Sequence, residues 1–262
     1  MIKKLTTYSK YFFEYLKHGD YDSIISSVRY LLKKGSHASD RTITTSIGTF
    51  FCRKNTNDFQ FANYRYEWGV KKFMLEHKNE YNVFIDGGAC IGEYCILLTK
   101  LGVRCIAFEP VIANYDVLKK NLELNKITDK VLAFPYGLGD REMEAPFHFN
   151  PVNTGASHII LDGKPADCFV GIRTLDSLIP MLGLKQSDRI MVKLDVECME
   201  PEAIRGAAGF INSFPNVTFV AEDKHSGDDL IKQELMNIAG FEFGIVDSFN
   251  IYAKKVISPR SN

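Results

Sequence analysis

From residue 82 onward the chain repeats one pattern: a short, nearly unbroken apolar run ending in a polar residue, then a longer stretch with apolar positions three and four apart. The runs stand at Val83–Asp86, Arg104–Glu109, Val131–Tyr136, Ile190–Asp195 and Val217–Glu222, and the periodic stretches at Tyr94–Leu101, Ile112–Asn125, Thr174–Leu182 and Pro201–Ser213. A run apolar at every position fits a strand buried on both faces, and three- and four-residue spacing fits a helix. Their alternation predicts an open, doubly wound α/β sheet. Two further runs, Glu242–Val246 and Asn250–Lys254, follow a helix expected over Asp229–Ala239 and lie too close together for a crossover, so they must pair antiparallel. The expected core is therefore a mostly parallel, seven-stranded, Rossmann-like sheet closed by an antiparallel hairpin. Residues 141–173 exceed an ordinary connection and are expected to carry extra strands, at EAPFHF and DCFVGI.

The first 80 residues read differently. Apolar and aromatic residues recur at helical steps in Tyr11–Leu16 and Ile24–Leu32, Gly19-Asp20 breaks the two segments, and Gly35-Ser36 closes the second. Alternation in RTITTSIGTFFCR, followed by DFQFA after a turn at Lys54–Asn57, predicts a β-hairpin. Asn63 is expected to cap a helix from Tyr64 to about Lys78, with Trp68 and Phe73 inward. The reading divides the chain into a helical and hairpin extension (1–80) and a main domain (81–257) with an insertion near 141–173.

Composition narrows the function classes. Among 262 residues, 32 Lys+Arg balance 32 Asp+Glu, which argues against a dedicated nucleic-acid binder, since phosphate affinity needs a net or clustered positive field. The small basic clusters, Lys71–Lys72 among them, read as solvated helix faces. The six cysteines form no C-x-x-C pair and no metal-ligand spacing, and Cys95 and Cys105 fall in apolar runs as core residues. No window is long and apolar enough for a membrane span. A reduced, cytoplasmic protein is expected.

In an open α/β sheet, ligands bind beyond the carboxyl ends of the strands. The first strand runs into IDGGACIG: Asp86, then Gly87, Gly88 and Gly92 entering a helix, a turn that lets backbone approach a ligand closely. Glu109 ends the second strand 23 residues after Asp86, where a carboxylate accepts ribose hydroxyls, and Pro110 fixes the turn that displays it. The turn lacks the G-x-G-x-x-G of nicotinamide binders. An acid ahead of the glycines would repel a pyrophosphate but suits the ammonium group of S-adenosylmethionine.

Six pieces in order, FIDGGACIG (84–92), IAFEP (106–110), Asn125, GLGD (137–140), TLDSL (174–178) and VKLDVECMEPEAIRGA (192–207), resemble the FkbM-type methyltransferases. That resemblance implies S-adenosylmethionine-dependent O-methyl transfer to sugar or natural-product hydroxyls, so the expected acceptor is a small molecule or glycan precursor. Cys90 stands where the family usually has Asn, and Cys198-Met199 replaces its usual Gly-Ala. The cofactor is expected on Asp86, Gly88, Gly92, Glu109, Gly137 and Asp140. An acceptor alcohol needs a base or a metal to lose its proton. Asp195, Glu197 and His225 are the catalytic candidates. Glu222, with Ser157 and His158 of the insertion, is expected to face the acceptor. A magnesium site on Asp195, Glu222 and Asp223 is the weaker alternative. The aromatic run Tyr64, Tyr66, Trp68 is expected to pack on the sheet rather than cover the cofactor. Two rival readings are an NAD-dependent oxidoreductase on the same sheet and a non-catalytic binding module that retains the cofactor pocket.

Overall fold

The computed structural model describes residues 2–32, 39–150, 152, 158–160, 165–196, 199–223 and 229–256. The extension comprises helices α1 (Ile2–Lys17) and α2 (Tyr21–Leu31), strands β1 (Arg41–Thr44) and β2 (Thr49–Cys52), and helices α3 (Asp58–Phe61) and α4 (Trp68–Glu76). The alternating part follows as β3 (Val83–Gly87), α5 (Glu93–Thr99), β4 (Arg104–Phe108), α6 (Ile112–Leu124) and β5 (Val131–Phe134). Next come the short strands β6 (Gly137–Leu138), β7 (Met143–His148), β8 (His158–Ile159) and β9 (Cys168–Arg173). Helix α7 (Leu175–Leu182), β10 (Arg189–Leu194), α8 (Glu200–Arg205), α9 (Ala208–Ser213), β11 (Asn216–Glu222), α10 (Leu230–Ile238), β12 (Phe241–Ile245) and β13 (Asn250–Lys255) complete the order.

The apolar runs assemble into a seven-stranded sheet in the order β12-β13-β11-β10-β3-β4-β5. Strands β11, β10, β3, β4 and β5 are mutually parallel, and β13 pairs antiparallel with both β11 and β12. The predicted α/β class, strand number and terminal hairpin are therefore observed. Strand β3 shows why its sequence is unbroken: Phe84 packs in one apolar layer and Val83 and Ile85 in the other. The first layer also takes Tyr15, Ile43, Phe50 and Phe59, so the extension shares a core with α5 and α6. The second sheet, β6-β9-β7-β8, contains both strands expected in the insertion and covers Val111 with Ala145, Phe147, Val170 and Ile172.

Three local expectations are corrected. The hairpin turns inside RTITTSIGTFFCR, at Thr45–Gly48, where the Thr45 N–H donates to the Gly48 carbonyl at 2.8 Å. DFQF is a helical turn instead, because Asp58 draws Arg53 onto itself, with Nε–Oδ2 at 2.8 Å, and folds the chain back. The helix expected from Tyr64 begins at Trp68; Asn63 ties the preceding turn by accepting the Arg65 N–H at 2.9 Å, and Glu67 enters α4 in a left-handed conformation, φ 46°. The single helix expected over Pro201–Ser213 breaks into α8 and α9 at Gly206, whose missing Cβ would lie 1.9 Å from the Gly139 carbonyl oxygen.

The hairpin is fastened by Asn121 of α6 and by Asn125, which caps the end of that helix. The Asn121 Oδ1 accepts the Phe51 N–H at 2.7 Å, while Asn125 accepts from Thr49 N–H and donates to its carbonyl at 3.0 and 2.7 Å. These side-chain amides satisfy backbone groups of β2 that its neighbour β1 leaves free.

Candidate functional site

The site is built where β3, β4 and β10 end. Three residues in the five after Gly87 have positive φ: Gly88 at 89°, Cys90 at 46° and Gly92 at 86°. Glycine is required at 88 on two counts, since a Cβ there would lie 2.0 Å from the Asp195 carbonyl oxygen. The Gly88 and Ala89 N–H groups both donate to the Phe108 carbonyl, at 3.0 and 2.9 Å, which draws the turn onto the end of β4. Cys90 takes a left-handed conformation that asparagine and glycine adopt more readily, and its N–H donates to Glu109 Oε2 at 2.8 Å.

Glu109 is buried and bound by its own chain, with Oε1 also accepting the Val111 N–H at 2.9 Å and lying 3.4 Å from Asn114 Nδ2. Burial pushes its carboxyl up to about 7 against these hydrogen bonds. A carboxylate has about four acceptor positions, so part of its capacity is left. Asn114 is held in turn by Arg53 Nη2 at 2.9 Å, and Arg53 by Asp58, so the extension braces the Glu109 turn.

Asp86 lies opposite Lys193 in the register of β3 and β10, fully buried. Among the described residues its Oδ1 has no hydrogen-bond partner, and its Oδ2 is 3.8 Å from Cys95 Sγ. Burial raises its pKa to about 6, with Lys193 opposing and Asp195 and Glu67 adding to the rise. Burial alone would lower the Lys193 ammonium, but Asp195, Glu67 and Asp86 around it hold it above its ordinary value. Lys193 Nζ is 2.8 Å from Asp195 Oδ2, and the Asp195 N–H donates to the Gly87 carbonyl at 3.0 Å. Asp195 is thus tied to the glycine turn while its carboxylate remains partly exposed.

A second buried set, not anticipated from the sequence, reaches this point from the extension. The Tyr94 hydroxyl donates to Glu67 Oε2 at 2.6 Å, and its ring carries Lys71 Nζ at 4.7 Å and Lys193 Nζ at 5.0 Å from the centroid. Lys71 is fully buried, contrary to its reading as a solvated face. Burial pushes the neighbouring Glu93 carboxyl up against the pull of Lys71, and its Oε2 has no partner among the described residues. Glu67 and Lys71 lie more than 100 residues before Lys193, and no local pattern marks them.

The other predicted residues are placed less uniformly. Gly137 abuts Pro110 beside Glu109, since a Cβ there would meet Pro110 Cβ at 3.4 Å and Ile172 Cδ1 at 2.7 Å. Asp140 pairs with Arg205 of α8, 3.7 Å distant. Glu222, at the end of β11 opposite Asn250, and Asp195 both add to the rise of Glu200, which burial brings to about 7. Glu200 Oε1 accepts the Val196 N–H at 2.9 Å and is a further buried carboxyl on this side. His158 begins β8, the strand farthest from β6 in the second sheet. Ser157, Glu197, Cys198 and His225 lie outside the described residues. Among the described residues no three His, Cys, Asp or Glu side chains are grouped to hold a metal ion, so Asp195, Glu222 and Asp223 do not assemble the magnesium site considered as the alternative. Tyr64 packs on Trp68 with centroids 5.3 Å apart, Arg65 lies 4.6 Å over Trp68, and Tyr66 meets Phe61 edge-on at 5.1 Å.

No curated protein sequence matches the chain. Among solved structures it is similar to a methyltransferase FkbM from Methylobacillus flagellatus KT, at 18% identity and a TM-score of 0.49, over 67% of this chain and 44% of that one. The chain thus spans less than half the length of that protein. It is similar too to an O-methyltransferase from Bacillus cereus in complex with SAH (11% identity, TM-score 0.39, 73% and 80% covered). A third is the O-methyltransferase TomG from Streptomyces achromogenes, involved in tomaymycin synthesis and in complex with SAM (12% identity, TM-score 0.42, 74% and 81% covered). The model of the methyltransferase FkbM domain matches residues 86–245, from the buried Asp86 through Glu109, Lys193 and Asp195 to the end of β12. With more than half of its length in that match, the chain belongs to the FkbM methyltransferase family.

Proposed function

We propose that this chain is a cytoplasmic, S-adenosylmethionine-dependent O-methyltransferase whose acceptor is a hydroxyl of a sugar, a glycoconjugate precursor or a natural product. The observation that carries the reading is Asp86: a fully buried carboxyl beside the glycine turn, with an oxygen that no donor among the described residues satisfies. A buried acceptor without a partner is costly, and the ammonium group of the cofactor's methionine end supplies the missing donors. Gly88 and Gly92 keep that floor free of side chains, and Glu109 has acceptor capacity for ribose hydroxyls. When bound, S-adenosylmethionine supplies an electrophilic methyl group on its sulfonium.

The chain's part is then to align the acceptor oxygen, exclude water and take its proton. Asp195, partly exposed and held by Lys193, is the proposed base, with Glu197 and His225 as its companions and Glu222, Ser157 and His158 on the acceptor side. Glu200, buried and within the electrostatic reach of both Asp195 and Glu222, belongs with this group. Residues 81–257 form the proposed methyltransferase domain, and the extension walls its site through Arg53, Glu67 and Lys71. Gly137 and Asp140 remain proposed at the adenine edge, Gly137 through its contact with Pro110.

Calorimetry with S-adenosylhomocysteine and with NAD tests the cofactor, and methyl transfer to a panel of sugars and natural products tests the reaction. S-adenosylhomocysteine is expected to bind and NAD not; the reverse overturns the reading. Asp195→Asn is expected to lower kcat by about 100-fold, within the range of a lost general base, and to leave S-adenosylhomocysteine affinity within about threefold. Turnover near that of the unaltered enzyme would remove Asp195 as the base.

A further inference from the structure

Helix α2 packs a mainly serine face inward and turns large apolar side chains outward. Its inner face buries Ser23, Ser26 and Ser27, with Ile24 half-buried against the core, and its N-terminal end docks through polar contacts: Arg41 Nη2 donates to Ser23 Oγ at 2.7 Å and Arg41 Nη1 pairs with Asp20 at 2.8 Å. Its outer face carries Tyr21, Ile25 and Val28, 65, 55 and 45% exposed, followed by Leu32 at 60%. Positions 21, 25, 28 and 32 fall on one stripe of a helix. The neighbouring helix α1 adds exposed Phe13 and Leu16. A row of large apolar side chains turned to solvent over a serine face is what a helix presents when its apolar partner lies outside the fold.

Charge identifies the partner. Residues 1–34 hold seven lysines and arginines, from Lys3 to Lys34, against Glu14, Asp20 and Asp22, in a chain whose total charge is zero. Lys10 and Arg29 are exposed beside the apolar positions. A second copy meeting this face by its own equivalent face would bring the same positive excess against it. An anionic lipid surface opposes it with negative charge and takes the apolar stripe at the boundary between headgroups and acyl chains. We propose that the Tyr21–Leu32 face of α2 docks the protein on an anionic lipid surface. No described helix is long and apolar enough to cross a membrane, so this contact lies in the plane of the interface.

The test is co-sedimentation of the full chain with vesicles of phosphatidylcholine alone and with 30% phosphatidylglycerol, at 0.1 and 0.5 M NaCl. Binding is expected to the anionic vesicles, at least tenfold stronger than to the neutral ones, and to fall at high salt. Ile25→Ser/Val28→Ser and, separately, Lys10→Gln/Arg29→Gln are each expected to weaken it at least fivefold. All four positions are exposed, so an unchanged melting temperature and unchanged S-adenosylhomocysteine affinity show that the variants are folded. Absence of binding to anionic vesicles overturns the proposal, as does equal binding to both vesicle types or to the apolar variant. A dimer in sedimentation velocity that Ile25→Ser/Val28→Ser converts to monomer, without vesicle binding, assigns the face to a second copy instead.

Discussion

Asp86 concentrates the chemistry of the site in one side chain. Its carboxyl is raised to about 6 by burial, so in the empty protein it is half protonated near that pH. A cationic ligand must meet the ionised form and below pH 6 must displace a proton. Calorimetric affinity for S-adenosylhomocysteine is therefore expected to fall as pH drops from 7 to 5, approaching tenfold per unit at the acid end. Asp86→Asn is expected to weaken binding by about tenfold or more, the worth of a hydrogen bond to a charged group, and to abolish that slope; an unchanged slope would move the proton elsewhere. Tyr94→Phe tests the buried set from the extension, because it removes the donor at 2.6 Å from Glu67. A loss of about 1–3 kcal/mol in denaturant unfolding is expected, the cost of leaving a partly buried acceptor unpaired. Asp86, Gly88, Gly92 and Glu109 were legible in the sequence because chain order alone places them at successive strand ends. Glu67, Lys71 and Tyr94 were not. Their meeting depends on how the extension crosses the sheet, and a buried lysine in a helix has the same local pattern as a solvated one.

At the scale of elements, the strands were legible and the joints were not. A strand buried on both faces has little choice of composition, which is why the five parallel runs and the final hairpin could be read directly. The hairpin β1–β2 was misplaced because its fastening is non-local: Asn121 of α6 and its capping residue Asn125 supply the hydrogen bonds that fix β2. Asn125 was visible only as one of the residues shared with a family pattern, and its contacts give it a physical reason. Asn125→Ala leaves the Thr49 N–H and carbonyl without these partners, and hydrogen exchange at Thr49 is expected to accelerate more than at strands of the main sheet. Equal protection would show that the asparagine does not hold the hairpin. The break between α8 and α9 has a similar origin, since Gly206 lets two backbones pass where a methyl would lie 1.9 Å from the Gly139 carbonyl. Gly206→Ala is expected to cost about 3 kcal/mol, toward the upper end for overpacking, as a lower denaturant midpoint. A midpoint unchanged from the parent would mean that the α8 joint relaxes freely.

Over the whole molecule, a formal charge of zero conceals two separations. The first 34 residues carry the positive excess, and acids crowd the carboxyl edge of the sheet. That edge is less negative than a residue count implies, because burial raises Asp86 to about 6 and Glu109 and Glu200 to about 7, from ordinary values of 3.8 and 4.5. These shifts set how stability depends on pH. Between the unfolded and folded pKa values the native state holds protons that the unfolded chain has released, so stability falls as pH rises through that window. For Glu109 and Glu200 the window runs from about 4.5 to about 7, and for Asp86 from about 3.8 to about 6. At 1.36 kcal/mol per pH unit for each group holding its proton, the three together are expected to cost about 3 kcal/mol between pH 6 and 8. For a chain of this length that is a fall in melting temperature of roughly 6–12 °C. Scanning calorimetry of the ligand-free protein from pH 5.5 to 8 measures it. Glu200→Gln, neutral at every pH, is expected to remove close to half of the slope, since Glu109 and Glu200 carry most of it. A melting temperature that holds level or climbs from pH 6 to 8 would mean that these carboxyls are already ionised in the fold, with donors satisfying them.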